Sequence, residues 1–450
     1  MKHFFMLVSL CAIMMLPVKF FAQKNQSLII DKYMQAQVTV NEFSGVVLVT
    51  SKGRVIYKKA FGYANREWKI PNTVETKFEI GSLTKQFTAA AILQLAEQKK
   101  LNIEDKLSTY FPGYPKGDSV TLHMLLNHTS GIADYTSLAS FYPLHTLPLP
   151  KDSVIGLFKN QPYKFAPGTN FSYSNSNYFL LGCIIEKVTG TSYSAYLQQN
   201  VINKAGLLNT VVNRLDSIMA FRAGGYSKAE KGGWKNAEYF SMEFPFSAGS
   251  IISTAPDLQQ WQTALSEGKI ISTPMLTKMT TPYLNNYAYG LSVDSFAHHL
   301  RIAHGGAIPG FTSYLATFPE QDISIAVLSN NDCNSDEAGN EIAAALFSIP
   351  VKMPYKPVEK AINVLVLKRY TGKYQVGGTT NFELVIKDNY LFIKPQGGGE
   401  MKLNPESETK FFFAANTEQQ IEFILDKNKI VSKIYFINKG TQVEIKKLAQ

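Results

Sequence analysis

The alternation of apolar and polar residues predicts strands near both ends of the chain and helices between them. Two strand-like runs, Gly45–Val49 and Arg54–Lys58, are joined by Ser51-Lys52-Gly53, a sequence typical of a hairpin turn. A period of 3.6 residues begins at Ser82, which is a residue type common at helix starts. The pattern therefore predicts a sheet that is interrupted by a helical segment.

Later segments extend the same mixture of helices and strands. Helices are predicted at Ser27–Gln37, Leu122–Gly131, Tyr178–Val188, Leu258–Leu265 and Ala338–Phe347. Strands are predicted at Tyr289–Val293, Ile302–Gly306, Phe311–Phe318 and Ile323–Asn330. The regions 132–165 and 220–246 are irregular and rich in aromatic residues or glycine, so we expect them to form the walls of a pocket.

The sequence pattern changes at residues 350–360, where three prolines indicate a linker. The segment 361–450 alternates short strands with turns such as Asp388-Asn389. We predict a first domain at residues 23–349 and a second, all-β domain at 361–450 that forms a closed or nearly closed barrel.

The first 22 residues have the pattern of a secretory signal peptide. Lys2 is followed by an apolar run that is too short to span a bilayer comfortably, and cleavage after Ala22 fits the pattern. The alternative is an uncleaved N-terminal anchor. We expect an exported protein, periplasmic or secreted, with no stable membrane span after signal cleavage.

Composition narrows the class of protein. The chain has 450 residues, 45% hydrophobic and 18% charged, which is typical of a folded protein with a sizeable core. The net charge of +10 is scattered and no nucleic-acid-binding motif accompanies it, so no nucleic acid partner is expected. Cys183 and Cys333 either pair in an oxidising compartment or stay buried as free thiols. No metal site and no organic cofactor are indicated.

Candidate chemistry begins at Ser82-Leu83-Thr84-Lys85. On a helix, Lys85 shares a face with Ser82, which places an ammonium beside a hydroxyl at the positive end of the helix dipole. A serine in this setting can be activated as a nucleophile. The alternative is a capped helix with a solvated lysine, because the same spacing recurs at Ser407-Glu408-Thr409-Lys410 without a helical pattern.

His128 lies near the predicted helix end and also invites a catalytic interpretation. We favour a structural one, in which His128 hydrogen-bonds to the backbone and shapes a wall of the site.

Three motifs in order carry a family resemblance: Ser82-Leu83-Thr84-Lys85, Tyr173-Ser174-Asn175 and His304-Gly305-Gly306. Flanking stretches such as His128-Thr129-Ser130-Gly131 and Pro167-Gly168-Thr169 match as well. Over about residues 25 to 350 the chain resembles the serine β-lactamase-related hydrolases, in the branch of class C β-lactamases, penicillin-binding D,D-peptidases and esterases. The C-terminal segment is similar, more loosely, to lipocalin-like modules.

The resemblance implies an α/β (α+β) fold, in which an antiparallel sheet is flanked by helices and carries an inserted helical domain. It implies that Ser82 is the acylating nucleophile, that Lys85 assists its deprotonation, and that Tyr173 acts as base and then protonates the leaving group. A nearby ammonium favours the tyrosinate form of Tyr173. Asn175 is implied to fix Lys85 and the substrate, and the backbone N–H groups of Ser82 and Ala307 to form the oxyanion hole.

The third motif departs from the Lys-Thr-Gly form of β-lactamases. His304 stands where a lysine would help to hold a substrate carboxylate, and its reference pKa of about 6.5 leaves it mostly neutral near pH 7. Gly305 replaces threonine, and Gly306 keeps the motif's glycine. These changes lower the expectation of efficient β-lactam hydrolysis and favour an esterase or a peptidase.

The resemblance therefore predicts a secreted serine hydrolase that acts through a Ser82 acyl-enzyme on esters, amides or D-amino-acid peptides. The partner is a small-molecule or peptide substrate, cell-wall fragments included. The first alternative is a D,D-carboxypeptidase, a penicillin-binding protein or a weak β-lactamase. An alternative of another class is a non-catalytic binding or sensor protein on the same scaffold.

Overall fold

A computed structural model describes residues 25–213, 218–230, 232–378, 380–413, 416–438 and 441–448. The predicted signal peptide, residues 1–22, lies outside the described residues. Among the helices that are described, none is long and apolar enough to span a membrane. The chain divides after Val351 into two compact units, which are considered separately below.

The centre of the first unit is a six-stranded antiparallel sheet in the order β10-β11-β12-β13-β1-β2. Both ends of this unit contribute strands to the sheet: β1 and β2 come first in the sequence, and β10 to β13 are the last strands of the unit. The six strands are β1 (Gly45–Ser51), β2 (Arg54–Phe61), β10 (Ser292–Phe296), β11 (His299–Ile308), β12 (Phe311–Phe318) and β13 (Ile323–Ser329).

Both faces of this sheet are covered, which explains why β1 is buried along nearly its whole length. Helix α1 (residues 25–41) and helix α13 (Ser335–Leu346) pack on one face through a cluster that includes Tyr33, Val47 and Ile342. The other face joins a larger apolar core that includes Leu48 and Leu328.

The segment between β2 and β10 supplies most of the helices, as the predicted inserted helical domain requires. They are α2 (Thr84–Glu97), α3 (Leu107–Tyr110), α4 (Leu122–Leu126), α5 (Phe141–Leu144), α6 (Lys151–Phe158), α7 (Asn175–Thr189), α8 (Tyr193–Leu197), α9 (Asn203–Ala205), α10 (Phe246–Gly249), α11 (Ala255–Ser266) and α12 (Thr273–Thr280). A turn of π-helix, Gln198–Ile202, links α8 to α9.

Three small sheets complete the first unit. They pair β3 (Tyr63–Asn65) with β4 (Ile70–Pro71), β5 (Phe78–Glu79) and β6 (Val211–Val212) with β9 (Ile251–Ser253), and β7 (Tyr226–Lys228) with β8 (Trp234–Asn236). The fold class predicted for this unit, an antiparallel sheet flanked by helices, is confirmed.

The predicted helix Leu122–Gly131 was too long. Helix α4 ends at Leu126, and His128 has a left-handed backbone with φ of 61°. An L-residue in that conformation cannot continue an α-helix, so the chain turns away there. The turn brings residues 127–131 against the start of α7.

The second unit is a closed barrel of eight antiparallel strands, each paired with its sequence neighbours, and β14 closes on β21. The predicted barrel is confirmed. Its elements are α14 (Val364–Leu367), β14 (Gly372–Val376), β15 (Thr380–Lys387), β16 (Tyr390–Pro395), β17 (Met401–Pro405), β18 (Lys410–Phe413), β19 (Asn416–Leu425), β20 (Val431–Asn438) and β21 (Thr441–Lys447).

Aromatic and aliphatic side chains fill the core of the barrel. Tyr370 is fully buried, stacks on Phe423 with ring centroids 3.9 Å apart, and donates its hydroxyl to the carbonyl of Glu408. Leu367, from the short helix α14, belongs to the same core. The short helix that precedes the first strand of this unit therefore packs against the barrel's apolar interior.

Cys183 and Cys333, the two cysteines in the described part of the first unit, are buried free thiols. Burial raises the pKa of both Cys183 and Cys333 to about 12, so neither is a thiolate at neutral pH. Of the two alternatives that the sequence left open, the structure has the unpaired one.

Candidate functional site

Ser82 is held at the junction between a strand and a helix. Strand β5 pairs with β9, and the N–H of Ile80 still donates to the carbonyl of Ile251 at 3.0 Å. Gly81 then adopts a positive φ of 49°, which favours glycine, and turns the chain into a 3-10 turn, Gly81–Leu83. Ser82 therefore precedes α2 by one turn of tighter helix instead of opening it directly.

Lys85 lies in the first turn of α2 and is fully buried. Its ammonium donates to Ser82 Oγ at 3.0 Å, to Asn175 Oδ1 at 2.8 Å and to the carbonyl oxygen of Ala248 at 2.9 Å. Burial lowers the pKa of Lys85 from 10.5 to about 7, although the negative charge of Asp134 opposes the shift. Near neutral pH a substantial fraction of Lys85 is an uncharged amine, which can accept the proton of Ser82.

Asn175, the first residue of α7, is oriented from two sides. Its backbone N–H donates to Asp134 Oδ1 at 3.0 Å, and its side-chain amide N lies 3.3 Å from Thr136 Oγ1. This arrangement leaves Oδ1 to accept from Lys85. Asp134 and Thr136 come from the irregular region that the sequence assigned to a pocket wall.

Tyr173 lies beside both residues. The ammonium of Lys85 is 4.8 Å from the centroid of its ring, and its hydroxyl is buried with no hydrogen-bond partner in the described part of the chain. Burial raises the pKa of Tyr173 above its usual value, while the hydroxyl of Ser82, close by, opposes this less strongly. The pKa of Tyr173 therefore moves in the direction opposite to the one expected from a nearby ammonium: burial of the phenolate is the largest cause, and the charge of Asp134 adds to it.

His128 forms part of the wall behind Tyr173. Its Nδ1 accepts a hydrogen bond from the backbone N–H of Ser174 at 3.2 Å, and its ring packs 4.3 Å from that of Tyr173. Because Nδ1 accepts, the proton of the neutral ring is assigned to Nε2, for which the described residues offer no partner. The structural interpretation of His128 agrees with these contacts.

His304 faces the site from β11. Its Nε2 lies 2.9 Å from the hydroxyl of Tyr287. Burial, with a further contribution from the charge of Lys85, lowers the pKa of His304 to about 4. The imidazole is therefore neutral at physiological pH and supplies no positive charge to a substrate carboxylate.

The glycines after His304 allow β11 to approach the Ser82 turn closely. A methyl group on Gly306 would lie 2.1 Å from the carbonyl oxygen of Ile80, and one on Gly81 would lie 2.7 Å from the backbone N of Ala307. Any larger side chain would push these segments apart. Because of this close packing, Ser82 and Ala307, the predicted oxyanion-hole residues, lie on adjacent segments and line the same cavity.

A cavity of about 520 Å³ opens onto this constellation. It is lined by Ser82, Tyr173, His304, Gly305, Gly306, Ala307, Thr312, Asp332, Cys333, Asn334, Ser335 and Asp336. No lysine or arginine is among these lining residues. Within the described ranges, no group of three or more His, Cys, Asp and Glu side chains is arranged to hold a metal ion.

The structure thus brings together every side chain that the sequence placed in the site. Sequence reasoning missed the carbonyl of Ala248, which carries no side-chain signal, and Asp134, which lies in a motif-poor loop. It also missed Asp332 and Asp336, since their place in the cavity depends on the packing of α13 beside β11. Neither of the irregular regions predicted to form pocket walls, 132–165 and 220–246, is among the residues that line this cavity.

Comparison with known proteins points in one direction. The family described as Beta-lactamase matches residues 30–348 of the chain. Penicillin-binding protein 4* of Bacillus subtilis (strain 168) is 28% identical over 424 residues, which cover 88% of this chain and 93% of the relative.

Solved structures agree on the fold. The octameric penicillin-binding protein homologue from Pyrococcus abyssi is 26% identical, with a TM-score of 0.67 over 94% of this chain and 99% of its own. A D-amino acid amidase from Ochrobactrum anthropi SV3, crystallised with L-phenylalanine amide, has a TM-score of 0.63 at 23% identity, covering 73% of this chain and 99% of its own. The second likeness concerns the fold alone.

Proposed function

The chain belongs to the beta-lactamase family of serine hydrolases, and we propose that it cleaves an ester or amide bond through an acyl-enzyme formed on Ser82. The observation that carries the proposal is the hydrogen bond of 3.0 Å between Lys85 Nζ and Ser82 Oγ. It joins a hydroxyl to a buried amine whose pKa is about 7. A nucleophile and a base poised near the working pH are the two groups that acyl transfer needs.

In acylation, Lys85 accepts the proton of Ser82 as Oγ bonds to the substrate carbonyl carbon. The carbonyl oxygen becomes an oxyanion, which accepts hydrogen bonds from the backbone N–H groups of Ser82 and Ala307. Asn175 and the Ala248 carbonyl hold the amine of Lys85 in place throughout.

Collapse of the tetrahedral intermediate requires a proton on the leaving group. Tyr173 is a neutral phenol at rest, so its hydroxyl donates that proton and regains one from Lys85. The acyl-enzyme and the protonated leaving group are the products of this half-reaction. Hydrolysis reverses the sequence with water as the nucleophile: Tyr173 accepts a proton from the water and passes one to Lys85, and Lys85 protonates Ser82 Oγ as it leaves the acyl carbon.

The substrate class we propose is esters, amides or D-amino-acid peptides. The neutral His304 and the absence of a cation among the cavity-lining residues support it, because a β-lactam or a peptide C-terminus presents a carboxylate. A D,D-carboxypeptidase or penicillin-binding activity is the second candidate, and it is favoured by the likeness to penicillin-binding protein 4* over most of both chains.

Export is also a proposal, and it rests on the pattern of residues 1–22. N-terminal sequencing of the protein recovered outside the cytoplasm is expected to begin at Gln23. Recovery with Met1 intact from the cytoplasmic fraction would contradict export.

The test of hydrolysis uses an activated short-chain ester, a fluorogenic D-alanyl amide and a chromogenic β-lactam. Turnover of at least one substrate is expected, with loss in Ser82→Ala and retention in Ser407→Ala, which alters the second Ser-x-x-Lys sequence. No turnover and no covalent adduct with any of the three would favour a non-catalytic binding protein on this scaffold.

A further inference from the structure

The cavity beside Ser82 has an acidic end. Asp332 precedes α13, and Asp336 is the second residue of that helix. Both line the cavity together with the catalytic residues. In the described part of the chain neither carboxylate forms an ion pair with a lysine or arginine. Arg301 donates two hydrogen bonds to Asp294, at 2.8 and 2.6 Å, and the ammonium of Lys228 lies 3.9 Å from Glu42 Oε2.

Gly305 makes room for Asp336 at this position. A methyl group on Gly305 would lie 2.3 Å from Asp336 Oδ1 and 2.8 Å from Oδ2, so no residue larger than glycine fits there without displacing the carboxylate. Asp336 is exposed to solvent at the cavity. The protein packed around it nevertheless raises its pKa, against opposing contributions from its own backbone N–H and from Arg301.

A separate observation indicates that the cavity is built to receive a ligand. Tyr173 lines this cavity, and among the described residues its buried hydroxyl has only the Ser82 hydroxyl close by and no partner at hydrogen-bond geometry. Buried polar groups are usually hydrogen-bonded, and an orphaned one requires an explanation. A substrate atom near Ser82 would complete it.

We propose that Asp336, whose carboxylate occupies the space left by Gly305, is a specificity-determining residue that binds and selects substrates carrying an ammonium group. This inference rests on the proposed hydrolase function and refines its substrate class. Asp332, whose carboxylate accepts from the Lys228 N–H at 3.2 Å and the Ser227 hydroxyl at 3.3 Å, adds a second negative charge nearby. Substrates that end in a carboxylate are repelled at this end of the cavity.

A purely structural role of Asp336 must be distinguished from substrate selection. An acidic residue in the first turn of a helix stabilises the helix dipole, and Asp336 lies in the first turn of α13. Glu337 occupies the same turn but does not line the cavity, so it offers a matched control.

The experiment uses two pairs of substrates, each differing only in charge. In the first pair the acyl group is D-alanyl or isobutyryl, on one fluorogenic amine. In the second pair the leaving group of a thioacetate is thiocholine or its uncharged carbon isostere, 3,3-dimethylbutanethiol. The readout is the ratio of kcat/KM for the charged member to that for the neutral member.

At least one pair is expected to give a ratio of about ten or more in the full-length protein, as a close charge pair can supply. Asp336→Asn is expected to bring that ratio near one, and Glu337→Gln to leave it unchanged. Gly305→Ala should lower the ratio too, because the added methyl displaces the carboxylate. If Asp336→Asn does not fold, the same ratio must fall in the unmodified protein when salt is raised from 0.05 to 0.5 M, since salt screens the attraction.

Ratios near one in both pairs, or a ratio that survives Asp336→Asn, would overturn the inference while leaving the hydrolase proposal intact. Absence of turnover for all four substrates, together with absence of a Ser82 adduct, would instead overturn the proposed function.

Discussion

The chain contains the same four-residue spacing in two different settings. In the first unit, Ser82 and Lys85 lie at the start of α2, and the lysine side chain is fully buried among neutral acceptors. In the barrel, Ser407 and Lys410 lie at a turn that leads into β18, and the Lys410 side chain is 25% exposed. The serine hydroxyl there accepts from the backbone N–H of Lys410 and stabilises the turn.

The two lysines consequently have opposite pKa shifts. The pKa of Lys410 is raised above its usual value. Burial alone would lower it, but the Tyr355 hydroxyl at 2.8 Å and the nearby charges of Glu406 and Glu422 together outweigh burial. Among the described residues no carboxylate forms an ion pair with Lys85, and its pKa falls to about 7. The Ser-x-x-Lys spacing alone therefore does not make the lysine a base. The lysine becomes a base when its amine is buried away from water without a paired carboxylate.

The largest effect should come from removing each lysine in turn. Lys85→Ala is expected to lower kcat/KM for the best ester by about a thousandfold, because general-base assistance to Ser82 is lost. Lys410→Ala is expected to stay within about twofold of the parent protein, because Lys410 belongs to a turn of the barrel and takes no part in the proposed reaction. Steady-state kinetics on both variants measures the contrast.

Far-ultraviolet circular dichroism is the control for these two variants, since a folded Lys85→Ala protein is needed for the comparison. Equal losses in the two variants would mean that the barrel copy has a part in catalysis, which the present account does not allow.

A smaller loss is expected for Tyr173→Phe. The variant keeps the ring that packs on His128 but lacks the hydroxyl that protonates the leaving group. We expect kcat to fall by about a hundredfold with KM little changed, and less for a nitrophenyl ester, whose leaving group needs no proton. Equal losses for esters with good and poor leaving groups would argue against this proton transfer.

The pH profile should report Lys85 directly. Below a pKa of about 7 Lys85 is protonated and cannot accept the proton of Ser82, so kcat/KM is expected to fall about tenfold for each further pH unit towards acid. Because the charge of Asp134 raises this pKa, Asp134→Asn should move the acid limb to lower pH. An acid limb that does not move in Asp134→Asn, or that lies near pH 4, would assign the titration to another group.

The smallest effect concerns the stability of the barrel turn. Ser407→Ala removes an acceptor for the backbone N–H groups of Thr409 and Lys410 and should lower the free energy of unfolding of the barrel by about 0.5 to 1.5 kcal/mol. Urea unfolding followed by tyrosine fluorescence measures the change, and ester hydrolysis at low temperature should be unaffected. A loss of hydrolysis without a loss of stability would contradict the structural assignment of this copy.

Much of the fold could be predicted because the signals were local. The strands β1 and β2, the turn Asp388-Asn389 and the change of texture after Ile349 are all written in short-range patterns of apolar residues and turn formers. The motif residues of the site were found in the same way, since Ser82, Tyr173 and His304 each stand in a recognisable sequence.

The remaining features depend on tertiary packing. The direction of the Tyr173 pKa shift could not be predicted, because burial, its largest cause, cannot be read from the neighbouring ammonium. Helix α4 ends early because His128 has a left-handed backbone. Residues other than glycine adopt that conformation only when their surroundings impose it. Asp336 enters the cavity only because α13 packs on the sheet next to Gly305.

The most direct test of the account is to locate the covalent intermediate. The protein is quenched in acid during turnover of a slowly hydrolysed ester, digested, and analysed by mass spectrometry. We expect the mass of the acyl group on the peptide that contains Ser82, more of it in Tyr173→Phe because hydrolysis of the intermediate is slowed, and none on the peptide that contains Ser407. Acylation at another residue, or turnover without any acylated peptide under conditions that trap an authentic acyl-enzyme, would contradict it.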